Sequence, residues 1–173
     1  MKDPIEKTEY IPVRLRAFID LVRPFTLLAP AIGGFSGAMI SLIAQDKIGL
    51  PTFTATFPFF VWEGLPLYNL VSGIAALIFL NAASNSFNQV YDRRIDAINK
   101  PYRPIPSGIV SPREGLWISI FLYGFTILRA SFVNRYFLLM ISILVLFTIA
   151  YSAPPLRLKK RLWLSNLSIA LPR

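Results

Sequence analysis

Long apolar blocks alternate with short polar, basic segments along this chain. Four blocks, at about 25–45, 66–90, 114–133 and 136–153, each approach the ~20 residues a helix needs to cross a bilayer core. The pattern therefore predicts four transmembrane helices. Ahead of the first, in "VRLRAFIDLVRP" at 13–24, Leu15, Phe18, Ile19 and Val22 recur at i, i+3, i+4 and i+7, while Arg16, Asp20 and Arg23 take the other side. This predicts a short amphipathic helix on the membrane surface, ended or kinked at Pro24; extension of the next helix is the equal alternative. Residues 1–12 read as a polar tail. The segment 51–63, "PTFTATFPFFVWE", is short and Pro-interrupted and reads as a loop with an interfacial aromatic belt. Gly33, Gly34, Gly37 and Ala38 predict a face that a neighbouring helix can approach closely. At the end, "RLWLSNLSIALPR" begins a fifth apolar segment of roughly ten residues, too few to span, and reads as a truncation. The expected organisation is a tail and surface helix over 1–24, then an all-α integral membrane domain over 25–173 with about four spans and the start of a fifth.

Composition supports the membrane reading. Of 173 residues, 54% are hydrophobic and 16% charged, with a mean hydropathy of +0.54. The net charge of +9 does not imply nucleic acid, because Lys and Arg fall in short clusters between apolar blocks rather than on one face. Through successive segments outside the spans they number five (1–24), one (46–65), five (91–113), two (129–136) and five (156–173). That alternation predicts a cytoplasmic N-terminus and puts 81–108 at the cytoplasmic face. The first block is too long for the apolar core of a cleaved signal peptide. Cys and His are absent, which excludes disulfides, thiolate nucleophiles, Cys/His zinc sites, His-ligated haem and Ser-His triads. Chemistry is left to carboxylates, amides, hydroxyls, Lys and Arg.

Those groups concentrate after the second block, in "NAASNSFNQVYDRRIDAINKPYRPIPSG" at 81–108. Asn81, Asn85, Asn88, Asp92 and Asp96 stand at i, i+4, i+7, i+11 and i+15, one slowly drifting stripe on a helix. From Asn88 to Asp96 the axial rise is about 12 Å, short enough for the amide and both carboxylates to address one bound group. Polar groups in a membrane helix are costly and face a cavity or a partner. Two carboxylates a turn apart repel unless a cation intervenes, and an all-oxygen donor set selects a hard ion; Mg2+ held by carboxylates together with substrate phosphates fits it. Lys100 and Arg103 follow on a segment stiffened by Pro101, Pro104 and Pro106, able to hold cations over a phosphate, and Arg93 and Arg94 add charge. Blander readings stand beside these: Arg93, Arg94 and Arg113 as topology signals, Asp92 and Asp96 in interfacial salt bridges, Asn81 and Asn85 as glue between helices, or the stripe as the wall of a transport pathway.

"NQVYDRRID" resembles the NxxxDxxxD motif of the UbiA superfamily of intramembrane prenyltransferases, and "INKPYRPIPSG" and "YSAPPLRLKK" at 151–160 resemble two further segments of that family. The resemblance implies a UbiA-type helical bundle that transfers a polyprenyl group from its diphosphate to a lipophilic acceptor in the membrane, with Mg2+. It implies Asn88, Asp92 and Asp96 as the catalytic and metal-binding residues, and Arg93, Lys100, Arg103, Tyr151, Arg157 and Lys159 as diphosphate contacts. Phe87, Tyr91 and Tyr102 are candidates to face a carbocation, with core packing the expectation for Phe87. The segments look most like the branch of chlorophyll synthases and digeranylgeranylglyceryl phosphate synthases, which implies a geranylgeranyl-type donor. One departure is large: the family's second aspartate-rich motif is missing, and no aspartate follows residue 96. The chain thus reads as the N-terminal half of such an enzyme, or as a non-catalytic subunit that keeps a lipid-diphosphate loop.

Overall fold

A computed structural model describes residues 4–44, 54–56, 59–62 and 65–160, with side chains over 12–40 and 68–159. The expected start of a fifth span, at 161–173, lies outside the described residues. Five α-helices are present among the described residues: α1 (Pro4–Val22), α2 (Leu28–Ala44), α3 (Leu67–Asn99), α4 (Pro112–Ser131) and α5 (Arg135–Ser152), with 3-10 turns at Pro24–Leu27 and Leu158–Lys160. Among the described residues three stretches are long and apolar enough to cross a membrane, Pro12–Ile40, Tyr68–Asn99 and Arg135–Ser152; α4 is not among them.

Two expectations need correction. Residues 4–12, expected as tail, are already helical: Pro4 opens α1, where its missing N–H costs nothing. The 51–63 segment, expected as loop, contributes to a small antiparallel ribbon of β1 (Thr54–Thr56), β2 (Phe59–Trp62) and β3 (Leu65–Pro66), with Ala55 opposite Phe60 and Trp62 opposite Leu65. Its Thr, Phe, Val and Trp residues are strand formers, and Pro66 sits at the terminus of an edge strand, where its missing donor is tolerated.

The break between α1 and α2 follows from Pro24. A residue before proline is pushed out of the helical region, and Arg23 adopts a left-handed φ of 57°. The carbonyls freed at the end of α1 are taken up by α3: Gln89 Nε2 donates to Leu21 O at 2.8 Å and Asn85 Nδ2 to Val22 O at 3.0 Å. Asn85 Nδ2 also lies 2.7 Å from Thr26 Oγ1 and 2.9 Å from Asn81 Oδ1, and Thr26 Oγ1 donates to Asn81 Oδ1 at 3.1 Å. Asn81 and Asn85 therefore fasten α3 to the α1–α2 bend. Of the expected close-packing glycines, Gly34 meets Leu77 and Ile74 of α3, whereas Gly33 and Gly37 have nothing near their missing Cβ. These two instead border an open groove of about 400 Å3 between α2, α3 and the start of α5.

The central element is α3. Its 33 residues make a rod of about 50 Å, well beyond the ~30 Å of a bilayer core. A bilayer core takes up only about 20 of these residues, so α3 continues beyond a span of that length, and Asn88 to Asp96 lie toward its C-terminal end. Against α3 lies α4, built inside-out for water: it buries Gly115, Ser119, Tyr123, Thr126 and Ala130 and exposes Trp117, Ile120, Phe121 and Leu128. Small residues let the helices approach, and the buried Ser119 and Thr126 return their hydroxyls to Gly115 O and Leu122 O, so neither is left unpaired in the helix contact. One core joins α3, α4 and α5 through Leu80, Phe87, Tyr123, Ile141 and Val145. A second, of Ala17, Leu21, Ile105 and Val110, clamps the loop after α3 beneath α1.

Gly115 sets that clamp. A Cβ there would lie 2.9 Å from Ile105 Cδ1 and 3.0 Å from Val90 Cγ2. Gly115→Ala is tolerated by a small side-chain shift, whereas Gly115→Leu overpacks the joint and costs about 1 to 3 kcal/mol, read as a lowered melting temperature in detergent.

Candidate functional site

The site forms where the C-terminal end of α3 meets two loops, one after α3 and one after α5. Asp92 Oδ1 receives Lys159 Nζ at 2.6 Å, with Arg157 Nη2 at 3.7 Å. Asn88 Oδ1, one turn earlier, accepts from Ser152 Oγ and lies 3.5 Å from the same Lys159 ammonium. The amide oxygen and the carboxylate therefore converge on a single cationic point. Lys159 also lies over the Tyr151 ring, 5.9 Å from its centroid.

Arg157 is fixed more tightly than Lys159. Its backbone takes a positive φ of 37°, uncommon outside glycine, and its Nη2 donates to Tyr91 O at 3.0 Å. Its Nε is buried with no partner among the described residues. Tyr151 and Ser152 close α5, and Ala153 leaves the helical region just before the prolines that end it.

Asp96 does not join this point. It is buried, and its carboxylate closes on Arg103 Nη1 at 2.5 Å. The loop carrying Arg103 is held by Ile105 and Val110 in the second core and by backbone bonds from Lys100 N to Asp96 O and from Arg103 N to Lys100 O. The polar stripe thus divides in two, Asn88 and Asp92 facing the loop after α5 and Asp96 facing the loop after α3. Lys100 is exposed and makes no ion pair among the described residues. Arg93 and Arg94 are also exposed and border, with Val90, Tyr91, Ile95 and Arg157, an open cleft of about 430 Å3 that Asp92 does not line. Phe87 is core, its ring tilted against Tyr91 and edge-to-face with Tyr123, while Tyr102 is exposed. Arg14 of α1 pairs with Glu114, whose carboxylate also completes a capping box with Ser111 at the start of α4.

The donor set suits a hard divalent ion in part. A carboxylate and an amide oxygen already share one cation, Lys159, and every donor is oxygen. Among the described residues, however, no three His, Cys, Asp or Glu side chains come together. The residues present fit a metal that draws its remaining ligands from a phosphate group.

Two contributors were not singled out from sequence. Ser152, beside Asn88, carried only the weak signal of a hydroxyl following Tyr151 at the end of an apolar run. Gln89 sits beside the stripe, and its burial against α1 appears only in three dimensions.

A sequence profile described as the UbiA prenyltransferase family matches residues 48–173. The digeranylgeranylglyceryl phosphate synthase of Thermococcus kodakarensis is 29% identical over 163 residues, covering 92% of this chain and 52% of the relative. A solved digeranylgeranylglyceryl phosphate synthase structure superposes with a TM-score of 0.74 at 25% identity, over 92% of this chain and 49% of its own. A UbiA homolog from Archaeoglobus fulgidus, bound to DMAPP and Mg2+, superposes with a TM-score of 0.59 at 24% identity, over 80% and 44% of the two chains, a likeness of fold. The chain spans about half the length of the curated relatives it matches.

Proposed function

The chain belongs to the UbiA prenyltransferase family, whose members are integral membrane proteins, and from that premise we propose that it supplies the donor-diphosphate side of a Mg2+-dependent prenyl transfer at the cytoplasmic face. The carrying observation is the convergence of Asn88 Oδ1 and Asp92 Oδ1 on one cation, within a ring of basic side chains from the loop after α5. When bound, Mg2+ supplies neutralising charge to the diphosphate as it departs. Asn88 and Asp92 hold it, and Asp96 is the third candidate ligand. Lys159, Arg157 and Arg103 bear on the oxygens that gain charge as the carbon–oxygen bond of the allylic diphosphate breaks; Lys100 and Arg93 are outer contacts. Tyr151 bounds the same space. The prolines at 101, 104 and 106 hold the Arg103 loop in shape, so little ordering accompanies binding.

The name of the Thermococcus relative supports a geranylgeranyl-type donor and a lipid acceptor bearing a phosphate and a free hydroxyl. The N-terminus lies in the cytoplasm on the strength of the Lys/Arg alternation. The test is transfer of labelled geranylgeranyl diphosphate in nanodiscs against a panel of geranylgeranylglyceryl phosphate, a tetrapyrrole acid and a quinone-ring precursor, with Mg2+ or with EDTA. Mg2+-dependent product with the first acceptor is expected. Mg2+-dependent retention of donor without any product selects instead a non-catalytic diphosphate-binding subunit, a reading favoured by the lack of a third carboxylate at the site among the described residues.

A further inference from the structure

We infer that Lys159 is a displaceable counter-ion: it occupies the point between Asn88 and Asp92 that the metal takes, and passes to the diphosphate when metal and diphosphate load together. This rests on the metal-and-diphosphate reading above and adds an order of binding to it.

The geometry carries the inference in three steps. First, the acidic site is already neutralised. Asp92 faces Lys159 at 2.6 Å and Arg157 at 3.7 Å, so one carboxylate meets two cations and the cluster stands net positive. A divalent ion arriving alone would raise that positive charge and leave the ammonium without its anion in a place where its side chain is only 13% exposed. Metal alone therefore binds weakly. Second, the two cations differ in freedom. The Arg157 guanidinium is tied to Tyr91 O as well as facing the carboxylate, whereas Lys159 reaches the site on a flexible four-carbon stem. Of the two, Lys159 can leave. Third, a diphosphate offers the displaced ammonium a stronger anion than the one it gives up, and the Tyr151 ring stays beside it throughout. Metal and diphosphate then bind with positive coupling, each removing the obstacle to the other.

Lys159→Met keeps the stem and removes the charge. Binding of Mn2+ alone, followed by electron paramagnetic resonance in nanodiscs, is expected to tighten about tenfold in this variant, because no cation has to be displaced. Binding of labelled inorganic pyrophosphate at saturating Mg2+ is expected to weaken about tenfold, because the ammonium that would receive it is gone. Opposite signs are the signature, since a lysine that merely holds the loop in place would weaken both. Mn2+ binding that is unchanged or weaker in Lys159→Met overturns the exchange. The wild-type protein gives a check that needs no variant: at buffered free metal, pyrophosphate should raise Mn2+ affinity at least about tenfold. Independent binding of the two overturns the exchange but leaves the site assignment standing, whereas no pyrophosphate binding under any metal condition removes both.

Discussion

Asp92→Asn is expected to lower Mg2+-dependent prenyl transfer about 10³-fold, the scale of losing one preorganised stabiliser of charge developing in the transition state. Asparagine keeps the side-chain volume and an acceptor oxygen for Lys159, so the fold persists and the loss falls on chemistry. What disappears is the negative charge that balances Lys159 and Arg157 and that the proposed metal site requires. Without that charge the cluster holds two cations and no anion of its own, so metal affinity is expected to fall and the departing diphosphate to lose the neutralisation a divalent ion would give. The measurement is single-turnover transfer with labelled geranylgeranyl diphosphate over a Mg2+ titration. The rate should fall at every metal concentration while the melting temperature shifts little. Full turnover in Asp92→Asn would remove this carboxylate from the site.

The largest effect on stability is expected at Arg103. Asp96 is 6% exposed and its carboxylate rests on Arg103 at 2.5 Å, so Arg103→Ala leaves a buried charge uncompensated. Breaking such a pair from one side costs about 3 to 5 kcal/mol; partial access of water to the loop places the expected cost at the low end. Removing both partners, in Asp96→Ala with Arg103→Ala, should recover much of that loss, because most of it is the unpaired carboxylate and not the contact itself. A double-mutant cycle on melting in detergent reads the coupling. Additive single losses would show that Asp96 finds another partner. Strong coupling would show that the Asp96–Arg103 pair anchors the loop after α3.

The helices were legible in the sequence because apolar runs bounded by proline, glycine and basic clusters leave few alternatives, as the placement of α3 and α5 shows. The polar face of α3 was also legible, since the stripe from Asn81 to Asp96 follows from helical spacing alone. How the stripe divides was not. Asn81 and Asn85 bind the α1–α2 bend, Asn88 and Asp92 meet Lys159, and Asp96 meets Arg103. Periodicity assigns a face, but it contains nothing about which loop lies over each turn, and Lys159 is 71 positions from Asn88. The ribbon at 54–66 was missed because prolines at 51 and 58 argued for loop, while its pairing is a contact between neighbours that hydropathy does not encode. Residues 4–12 were missed for a related reason: polar composition marks exposure, and exposed residues can be helical.

The end of α1 has a consequence for the order in which the protein is made. Its last carbonyls, at Leu21 and Val22, are met by side chains that emerge from the ribosome 68 and 63 residues later, on α3. Until then no helix cap is available to them, and water at the membrane surface is the only partner that can serve. The bend between α1 and α2 is thus completed only once α3 is in place.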